Sequence, residues 1–222
     1  MRFHTFLFAL VLSLCAAGAA ENWVPLFNGK NLDGWVQRGG KAKYRVENGQ
    51  IIGSTVPNTD NSFLCTARDY TNFVLELDFK PHSSMNSGVQ IRSHCFDKAT
   101  QFVSGSKTNK IGANRVHGYQ VEIDPSKRAW TGGIYDEGRR GWLNDLTKNE
   151  DARKAYRSND WNHFRIEANA DSIKTWLNGV AAADLKDSTT PAGFIALQVH
   201  GVGKNTNTME VSFRDIRIQE LP

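Results

Sequence analysis

The sequence predicts an all-β protein, folded as a sandwich of two antiparallel sheets. Short runs of alternating apolar and polar residues recur between Gly, Asn, Asp and Pro residues, and no segment keeps a helical period. Asn-Gly pairs at 48–49 and 178–179 mark tight hairpin turns, because both residues tolerate a positive φ. Six Trp and twelve Phe residues supply enough apolar volume for one core.

The strands predicted from these runs are separated by turns, except at two long connections. They cover residues 44–46, 50–53, 72–80, 88–93, 118–123, 162–168, 172–177, 193–199 and 209–219. The connections over residues 97–115 and 125–160 are longer than usual, so we expect them to form the walls of a site. A short helix is predicted near residues 149–157.

The first twenty residues have the pattern of a secretory signal peptide. Arg2 and His4 precede an apolar run over residues 6–14, and small residues follow at 16–20. That run is too short to span a membrane. We therefore expect an exported protein, periplasmic or extracellular, with a signal peptide over residues 1–20 and a single domain over residues 21–222.

The charge balance argues against a nucleic-acid partner. The chain has 27 Lys and Arg against 23 Asp and Glu, and loss of Arg2 with the signal leaves 26 − 23 = +3. Basic residues after position 138 are interleaved with acidic ones, which is typical of a solvated surface. We expect no nucleic-acid partner and no membrane association beyond export. The sequence leaves the oligomeric state open.

Two cysteines remain after the signal, Cys65 and Cys95. Exported proteins commonly pair their cysteines, so a disulfide between these two residues is predicted.

Polar side chains alternate with apolar ones along three of the predicted strands. Successive residues of a strand point to opposite faces, so each polar set lies on one face. These side chains are of the types that orient and protonate ligands. The sequence therefore predicts a polar binding cleft on one sheet, formed by Gln120, Glu122 and Asp124 on one strand, Gln90 and Arg92 on a second, and Gln198 and His200 on a third.

Glu122 is the first candidate for a catalytic group. A neighbouring carboxylate and partial burial would raise its pKa and favour general acid or base catalysis. Asp124 lies about 6.6 to 6.8 Å further along the strand, a separation that suits two carboxylates flanking a sugar. His200 and Glu137 are further candidates. The structural alternative is that Glu122 forms an ion pair with Arg92.

Aromatic and basic residues follow the strand that carries Glu122 and Asp124. They lie within or just after a segment at 132–137 that we expect to return toward the cleft. Aromatic faces stack on the apolar faces of sugars. Nucleotide and serine-hydrolase functions are excluded, because the chain has no phosphate-binding glycine loop and no nucleophile elbow. His117, Glu122, Asp124 and His200 lack the tight spacing of metal ligands, so no cofactor is predicted, although a divalent metal stays open. The predicted substrate-binding residues are Gln90, Arg92, Gln120, Tyr135, Arg139, Arg140, Trp142 and Gln198.

A series of ordered motifs spans nearly the whole mature chain. They read WVPLFNGKNLDGW (23–35), NSGVQIR (86–92), GYQVEID (118–124) and GGIYDE (132–137), followed by WNHFRIEA, WLNG, GFIALQVHG and FRDIRI. In these motifs the chain resembles the secreted 3-keto-disaccharide hydrolase domain family. The family more often has Glu before Gln in the central strand, whereas here Gln120 precedes Glu122, and both point to the same face. The resemblance implies a jelly-roll sandwich of the concanavalin A-like lectin/glucanase type with a polar concave face.

The resemblance also implies a reaction, the cleavage of glycosides already oxidised at C3. A ketone there acidifies the C2 proton, a base drives elimination of the aglycone, and water then adds to the product. The partner would be an oxidised disaccharide or glycoside. The base would be Glu122 or His200, the acid would be Asp124 or Glu137, and the oxyanion donors would be Arg92 with Gln90 or Gln198.

Two other functions remain open at this point. A retaining glucanase of the same fold would normally carry two Glu at i and i+4 flanking an Asp, and the acid at i+4 is missing here. A non-catalytic carbohydrate-binding module would bind sugar unchanged when Glu122 is replaced.

Overall fold

The structure is a computed structural model that describes residues 22–222. The signal peptide predicted for residues 1–20 lies outside the described residues. The described part contains seventeen strands and one helix. In chain order they are β1 (Val24–Pro25), β2 (Trp35–Gly39), β3 (Lys43–Glu47), β4 (Gln50–Ser54), β5 (Ser62–Thr66), β6 (Phe73–Pro81), β7 (Ser87–Cys95), β8 (Thr100–Ser104), β9 (Lys107–Ile111), β10 (Val116–Ile123), β11 (Ile134–Glu137), β12 (Gly141–Asn144), α1 (Glu150–Ala155), β13 (Asn162–Asn169), β14 (Ser172–Leu177), β15 (Val180–Lys186), β16 (Phe194–Val199) and β17 (Glu210–Glu220).

The strands form two antiparallel sheets, which confirms the predicted all-β sandwich. The first, here called the cleft sheet, has the order β12, β11, β10, β7, β16, β5, β2. The second, here called the back sheet, has the order β15, β14, β13, β6, β17, β4, β3, with β1 paired to β17. Strands β8 and β9 form a separate hairpin. All strand pairs are antiparallel, and neighbours in a sheet are often distant in sequence, as in a jelly roll.

Apolar side chains from both sheets meet in one core. Val89, Tyr119 and Val121 of the cleft sheet and Phe79 and Phe164 of the back sheet are fully buried in one cluster. Burying a large apolar side chain contributes about 1.5 to 3 kcal/mol each. Alternation then leaves the polar residues of β7, β10 and β16 on the outer face of the cleft sheet.

A β-bulge at Arg92 interrupts this alternation. Arg92 has a φ of 45°, and the pairing registers of β7 shift beside it, between His117 and Tyr119 on β10 and between Phe194 and Ala196 on β16. One extra residue in a strand moves the following side chains to the opposite face. Arg92 therefore leaves the outer face, which it was predicted to share with Gln90.

All nine predicted strand segments coincide with strands of the structure, and the two long connections contain further elements. The first connection includes the hairpin of β8 and β9. The second includes β11 and β12 and the helix α1, whose first turn is capped by Asn149 Oδ1 accepting from Ala152 N at 3.1 Å. The short helix and the strand returning over residues 132–137 are confirmed. Strands β2 and β5 escaped prediction because one is largely exposed and the other is buried on both faces.

The predicted disulfide is wrong for this structure, in which Cys65 and Cys95 are free thiols. Cys65 lies on β5 and Cys95 on β7, with β16 between them. Two strand spacings of about 4.8 Å exceed the roughly 7 Å limit between the Cα atoms of a disulfide. Within residues 22–222, no helix combines the length and apolar character needed to cross a membrane.

Candidate active site

A polar pocket of about 250 Å³ opens on the outer face of the cleft sheet. Strands β10, β11, β12 and β16 each contribute side chains to it. Its lining residues are Asn86, Gln120, Glu122, Arg128, Tyr135, Glu137, Trp142, Gln198 and His200. Seven of the twelve predicted site residues are among them, and four of these, Gln120, Glu122, Gln198 and His200, belong to the alternating polar sets predicted from sequence.

Glu122 is a buried carboxyl held by two amide donors. It is 5% exposed, Asn86 Nδ2 donates to its Oε1 at 2.6 Å, and Gln120 Nε2 donates to its Oε2 at 2.8 Å. Burial raises the pKa of the Glu122 carboxyl, although these two hydrogen bonds favour the charged form. The result is a carboxyl fixed in orientation and more basic than usual.

The amide of Gln120 links Glu122 to β7, the adjacent strand, and to β16, the strand beyond β7. Its Oε1 accepts from Gln90 Nε2 at 2.7 Å and from Gln198 Nε2 at 2.9 Å, while its Nε2 donates to Glu122. Since a carboxylate only accepts, Gln120 must present its NH₂ to Glu122, and this fixes the direction of the whole chain of amides. Gln198 is fully buried, and its Oε1 has no hydrogen-bond partner among residues 22–222. That oxygen remains available to a donor on a ligand.

Gly88 provides the space that Gln120 occupies. It lies on β7 opposite Glu122. A Cβ built at Gly88 would approach Cδ of Gln120 to 2.6 Å. Any larger residue at this position must push the Gln120 side chain away from its three partners.

Glu137 is the second buried carboxyl of the pocket, at 8% exposure. Burial raises the pKa of Glu137, opposed by the positive charge of Arg115, whose Nη2 lies 3.4 Å from Glu137 Oε1. Tyr135 lies two residues earlier on β11. Burial, and then the charges of Glu137 and Glu122, raise the pKa of Tyr135, so its hydroxyl remains a hydrogen-bond donor.

His200 presents an unprotonated nitrogen when it is neutral. Its Nδ1 lies 2.8 Å from the carbonyl oxygen of Gly201. Because a carbonyl oxygen only accepts, the proton belongs on Nδ1, and the lone pair belongs to Nε2. His200 can therefore act as a base or as a hydrogen-bond acceptor in the pocket.

Arg128 and Trp142 form the remaining wall. The Arg128 guanidinium carbon lies 4.6 Å from the centroid of the Trp130 ring and 5.0 Å from that of Trp142. Its Nη2 is 3.8 Å from Glu122 Oε1. Trp142 also packs edge-on against Tyr135, with ring centroids 5.3 Å apart. This wall combines a positive charge with aromatic surface, a combination suited to a sugar ring that develops negative charge.

The structure places Asp124 outside the pocket lining, in the turn that follows β10. Its carboxylate accepts from Ser126 N at 3.1 Å and from Arg128 Nε at 2.8 Å. Burial alone would raise the pKa of Asp124, but these hydrogen bonds outweigh it and hold the pKa below its usual range. Asp124 therefore stays ionised, which is unsuitable for a proton donor, and orients Arg128 instead.

Arg92 lies inside one end of the sandwich. It donates from Nε to the carbonyl oxygen of Thr71 at 2.6 Å and from Nη1 to that of Ala170 at 2.7 Å. These acceptors flank strands of the back sheet, so Arg92 joins the two sheets and reaches neither Glu122 nor the pocket. The alternative ion pair of Glu122 with Arg92 is wrong for the same reason.

Arg139 and Arg140 are also absent from the pocket lining. Both pair with the fully buried carboxylate of Asp136, and Arg140 also donates to Asp187 Oδ2 at 2.7 Å. Gln90 is fully buried behind Gln120 and supports it. None of these three side chains lines the pocket, so their predicted contact with substrate has no basis in its geometry.

Two pocket residues were given no role from sequence, Asn86 and Arg128. Each lies just outside a predicted strand, where alternation carries no information about direction. Asn86 begins the NSGVQIR motif and Arg128 lies in the segment before GGIYDE, so the motifs were the only signal available. Among residues 22–222, no group of three or more His, Cys, Asp or Glu side chains is placed to hold a metal ion.

The antiparallel jelly-roll sandwich defines the fold class, which is that of the concanavalin A-like lectins and glucanases. The model of one family, the 3-keto-alpha-glucoside-1,2-lyase-like domain, matches residues 22–219. The chain belongs to this family and is accordingly a carbohydrate-active protein. No curated protein sequence matches it significantly.

Solved structures share the fold at low sequence identity. A protein from Parabacteroides distasonis ATCC 8503, provisionally assigned as a glycosyl hydrolase, is 20% identical with a TM-score of 0.58, covering 91% of this chain and 95% of its own. A Bacillus subtilis protein of unknown function with a galectin-like fold is 11% identical with a TM-score of 0.63, covering 91% and 96%. A Bacillus licheniformis beta-glucanase is 13% identical with a TM-score of 0.54, covering 90% and 97%.

Proposed function

We propose that this protein cleaves 3-keto-glycosides by elimination across C1 and C2, followed by addition of water. The observation that carries the proposal is the pair of buried carboxyls of raised pKa, Glu122 and Glu137, that line one pocket with the cation Arg128. A ketone at C3 acidifies the C2 proton enough for a carboxylate base. The name of the family, a 1,2-lyase-like domain acting on a 3-keto glucoside, supports the same chemistry.

In the elimination, Glu122 removes the C2 proton. The electron pair of the C2–H bond first forms an enolate with the C3 ketone, and then forms the C1=C2 double bond as the C1–O bond breaks. The enolate oxygen is stabilised by the Arg128 guanidinium and the Tyr135 hydroxyl, which act where negative charge develops. Glu137 gives its proton to the departing glycosidic oxygen.

Water then completes the reaction. Its hydroxyl adds to C1, Glu137 accepts the remaining proton, and Glu122 returns a proton to C2. The sum is one glycoside and one water converted to a 3-keto sugar and a free alcohol, with no oxidant or reductant consumed. Both carboxyls finish in the protonation states in which they began.

His200 is the second candidate for the base, because its Nε2 keeps a lone pair in the same pocket. We favour Glu122, since its two amide donors fix the direction of the carboxylate. Comparing Glu122→Gln with His200→Gln separates the two, because only loss of the base removes nearly all turnover.

The proposal is tested with matched glucosides, native and oxidised at C3, that carry the same aglycone. The wild type should release the aglycone from the 3-keto glucoside alone. Glu122→Gln should lower this rate by roughly 10²-fold to 10⁴-fold. The matched control, Glu167→Gln on β13 of the back sheet, should leave it unchanged.

Two outcomes would contradict the proposal. Cleavage of the native glucoside alone indicates a glucanase. Binding of sugar without cleavage of either glucoside, unchanged by Glu122→Gln, indicates a binding module.

A further inference from the structure

A larger groove of about 750 Å³ adjoins the pocket. Glu137 lines both cavities, and Gly201, the residue after His200, lines the groove. The two cavities therefore meet at the carboxyl that we assign to protonate the leaving group. The lining of the groove also includes Gly39, Thr59, Asn61, Gly112 and Arg115.

Glycine backbone and polar side chains form most of the groove, and Phe63, Ala113 and Val116 add apolar surface to its lining. A Cβ at Gly39 would lie 2.6 Å from the carbonyl oxygen of Asn61, and one at Gly201 would lie 2.8 Å from that of Thr59. Gly201 N donates to Asn61 Oδ1 at 2.9 Å, which holds this wall together. Glycine walls flanked by amide and hydroxyl groups suit a ligand rich in hydroxyls.

The groove also continues beyond the first cavity. A third cavity of about 460 Å³ is lined in part by the same residues, Gly39, Thr59, Asp60 and Gly203. Ligand pockets usually measure about 300 to 1,000 Å³. The pocket at Glu122 is smaller than this range and suits one ring, whereas the groove has room for more.

We propose that this groove is the leaving-group subsite and that its ligand is a glycan. This inference rests on the proposed function, since it places the oxidised ring against Glu122 and the glycosidic oxygen at Glu137. The sugars released by cleavage occupy the groove between Arg115 and Gly201 and extend toward Gly203. The substrate class is accordingly an oligosaccharide oxidised at one terminal ring.

Gly112 offers a variant that fills the groove without straining the backbone. It lines the groove, has no other heavy atom within 4 Å of a built Cβ, and lies outside the positive-φ region. Gly112→Trp should therefore occupy the space of a sugar while the fold is kept. Thr108→Trp is the matched control, because Thr108 is exposed on the neighbouring strand β9 and lines neither cavity.

The test compares three substrates with the same oxidised glucosyl ring, whose leaving groups are methanol, glucose and a glucose disaccharide. The wild type should have a higher kcat/KM for the two glycan leaving groups than for methanol. Gly112→Trp should lower kcat/KM at least tenfold for the glycan leaving groups and leave the methyl substrate within twofold, and Thr108→Trp should change none of them. Equal rates on all three substrates, or an equal effect of Gly112→Trp on all three, would overturn the inference.

A binding measurement separates failure of this inference from failure of the proposed function. If the wild type cleaves none of the substrates, unoxidised glucose and a glucose trisaccharide are titrated into both proteins. If the trisaccharide binds more tightly than glucose and Gly112→Trp removes this difference, the groove binds sugars even though the proposed elimination is wrong. Equal binding of the two sugars, or no effect of Gly112→Trp on binding, would also contradict the assignment of the groove as a sugar-binding subsite.

Discussion

Gln120 donates from Nε2 to Oε2 of Glu122 at 2.8 Å, from a position two residues earlier on the same face of β10. The contact orients the carboxylate and resists the rise in its pKa that burial causes. Asn86 makes the equivalent bond to the other oxygen at 2.6 Å. The pKa of Glu122 thus reflects two opposing effects, because burial raises it and the two amide donors lower it.

The first prediction concerns the pH dependence of cleavage. The base must be ionised, so kcat/KM should fall as the pH drops through the pKa of Glu122. Asn86→Ala removes a donor that favours the charged form, so the pKa rises and the loss of activity begins at a higher pH. Measuring kcat/KM from about pH 4 to about pH 9 shows the shift. Asn169→Ala, on the exposed end of β13, is the control. An acid limb that stays in place in Asn86→Ala would refute the role of Glu122 as base.

The second prediction concerns Gly88. Gly88→Ala places a methyl group where Gln120 lies and should break the chain of amides that supports Glu122. We expect kcat/KM to fall at least tenfold, equivalent to about 1.4 kcal/mol in the barrier, with a folded protein by circular dichroism. Ser172→Ala, on β14 of the back sheet, changes a side chain that lines neither cavity and should keep full activity. Equal activity of the two variants would show that the amide chain is dispensable.

The third prediction separates the acid from the base. Glu137→Gln cannot protonate a leaving group, so cleavage of a 3-keto disaccharide should fall by roughly 10²-fold or more. A 3-keto glucoside of 4-nitrophenol needs little protonation of its leaving group and should lose less than tenfold. The measurement is the ratio of the two rates in the variant and in the wild type. An unchanged ratio would remove Glu137 from the role of acid.

The fourth prediction concerns the buried ion pairs beside the cleft sheet. Asp136 is fully buried with Arg139 and Arg140, so Arg140→Gln leaves carboxylate charge incompletely compensated. We expect the free energy of unfolding in urea to fall by about 3 to 5 kcal/mol. Activity of the folded variant should stay within about twofold, because Arg140 does not line the pocket.

Arg45→Gln is the control for this variant. Arg45 forms exposed pairs with Glu47 and Glu210, so its loss should lower the free energy of unfolding far less than the loss of Arg140. A large rise in KM for Arg140→Gln, with little change in stability, would indicate that Arg140 contacts the substrate.

Local alternation predicted part of the pocket lining. Gln120, Glu122 and Gln198 line it because their strands stay regular there and the opposite face is apolar. Arg92 could not be placed from sequence, since its direction depends on a bulge that forms between three strands. A bulge adds a residue and moves the side chains that follow to the opposite face, so uninterrupted alternation gives the wrong direction for Arg92.

Residues beyond strand ends were the other source of error. Asp124 continues the alternation of β10, but the strand ends at Ile123 and the carboxylate turns to cap the following loop. Arg139 and Arg140 lie in the turn between β11 and β12, where a buried acid determines their direction. Long-range partners determine such positions, and a single sequence does not reveal them.

The most direct test of elimination is cleavage of a 3-keto glycoside in D₂O, with the product analysed by mass spectrometry and NMR. Removal of the C2 proton and rehydration predict that the released 3-keto sugar carries deuterium at C2, and that substrate incubated with Glu122→Gln does not acquire it. A released sugar that retains its original C2 hydrogen, together with no kinetic isotope effect on cleavage of the C2-deuterated substrate, would show direct hydrolysis and contradict elimination.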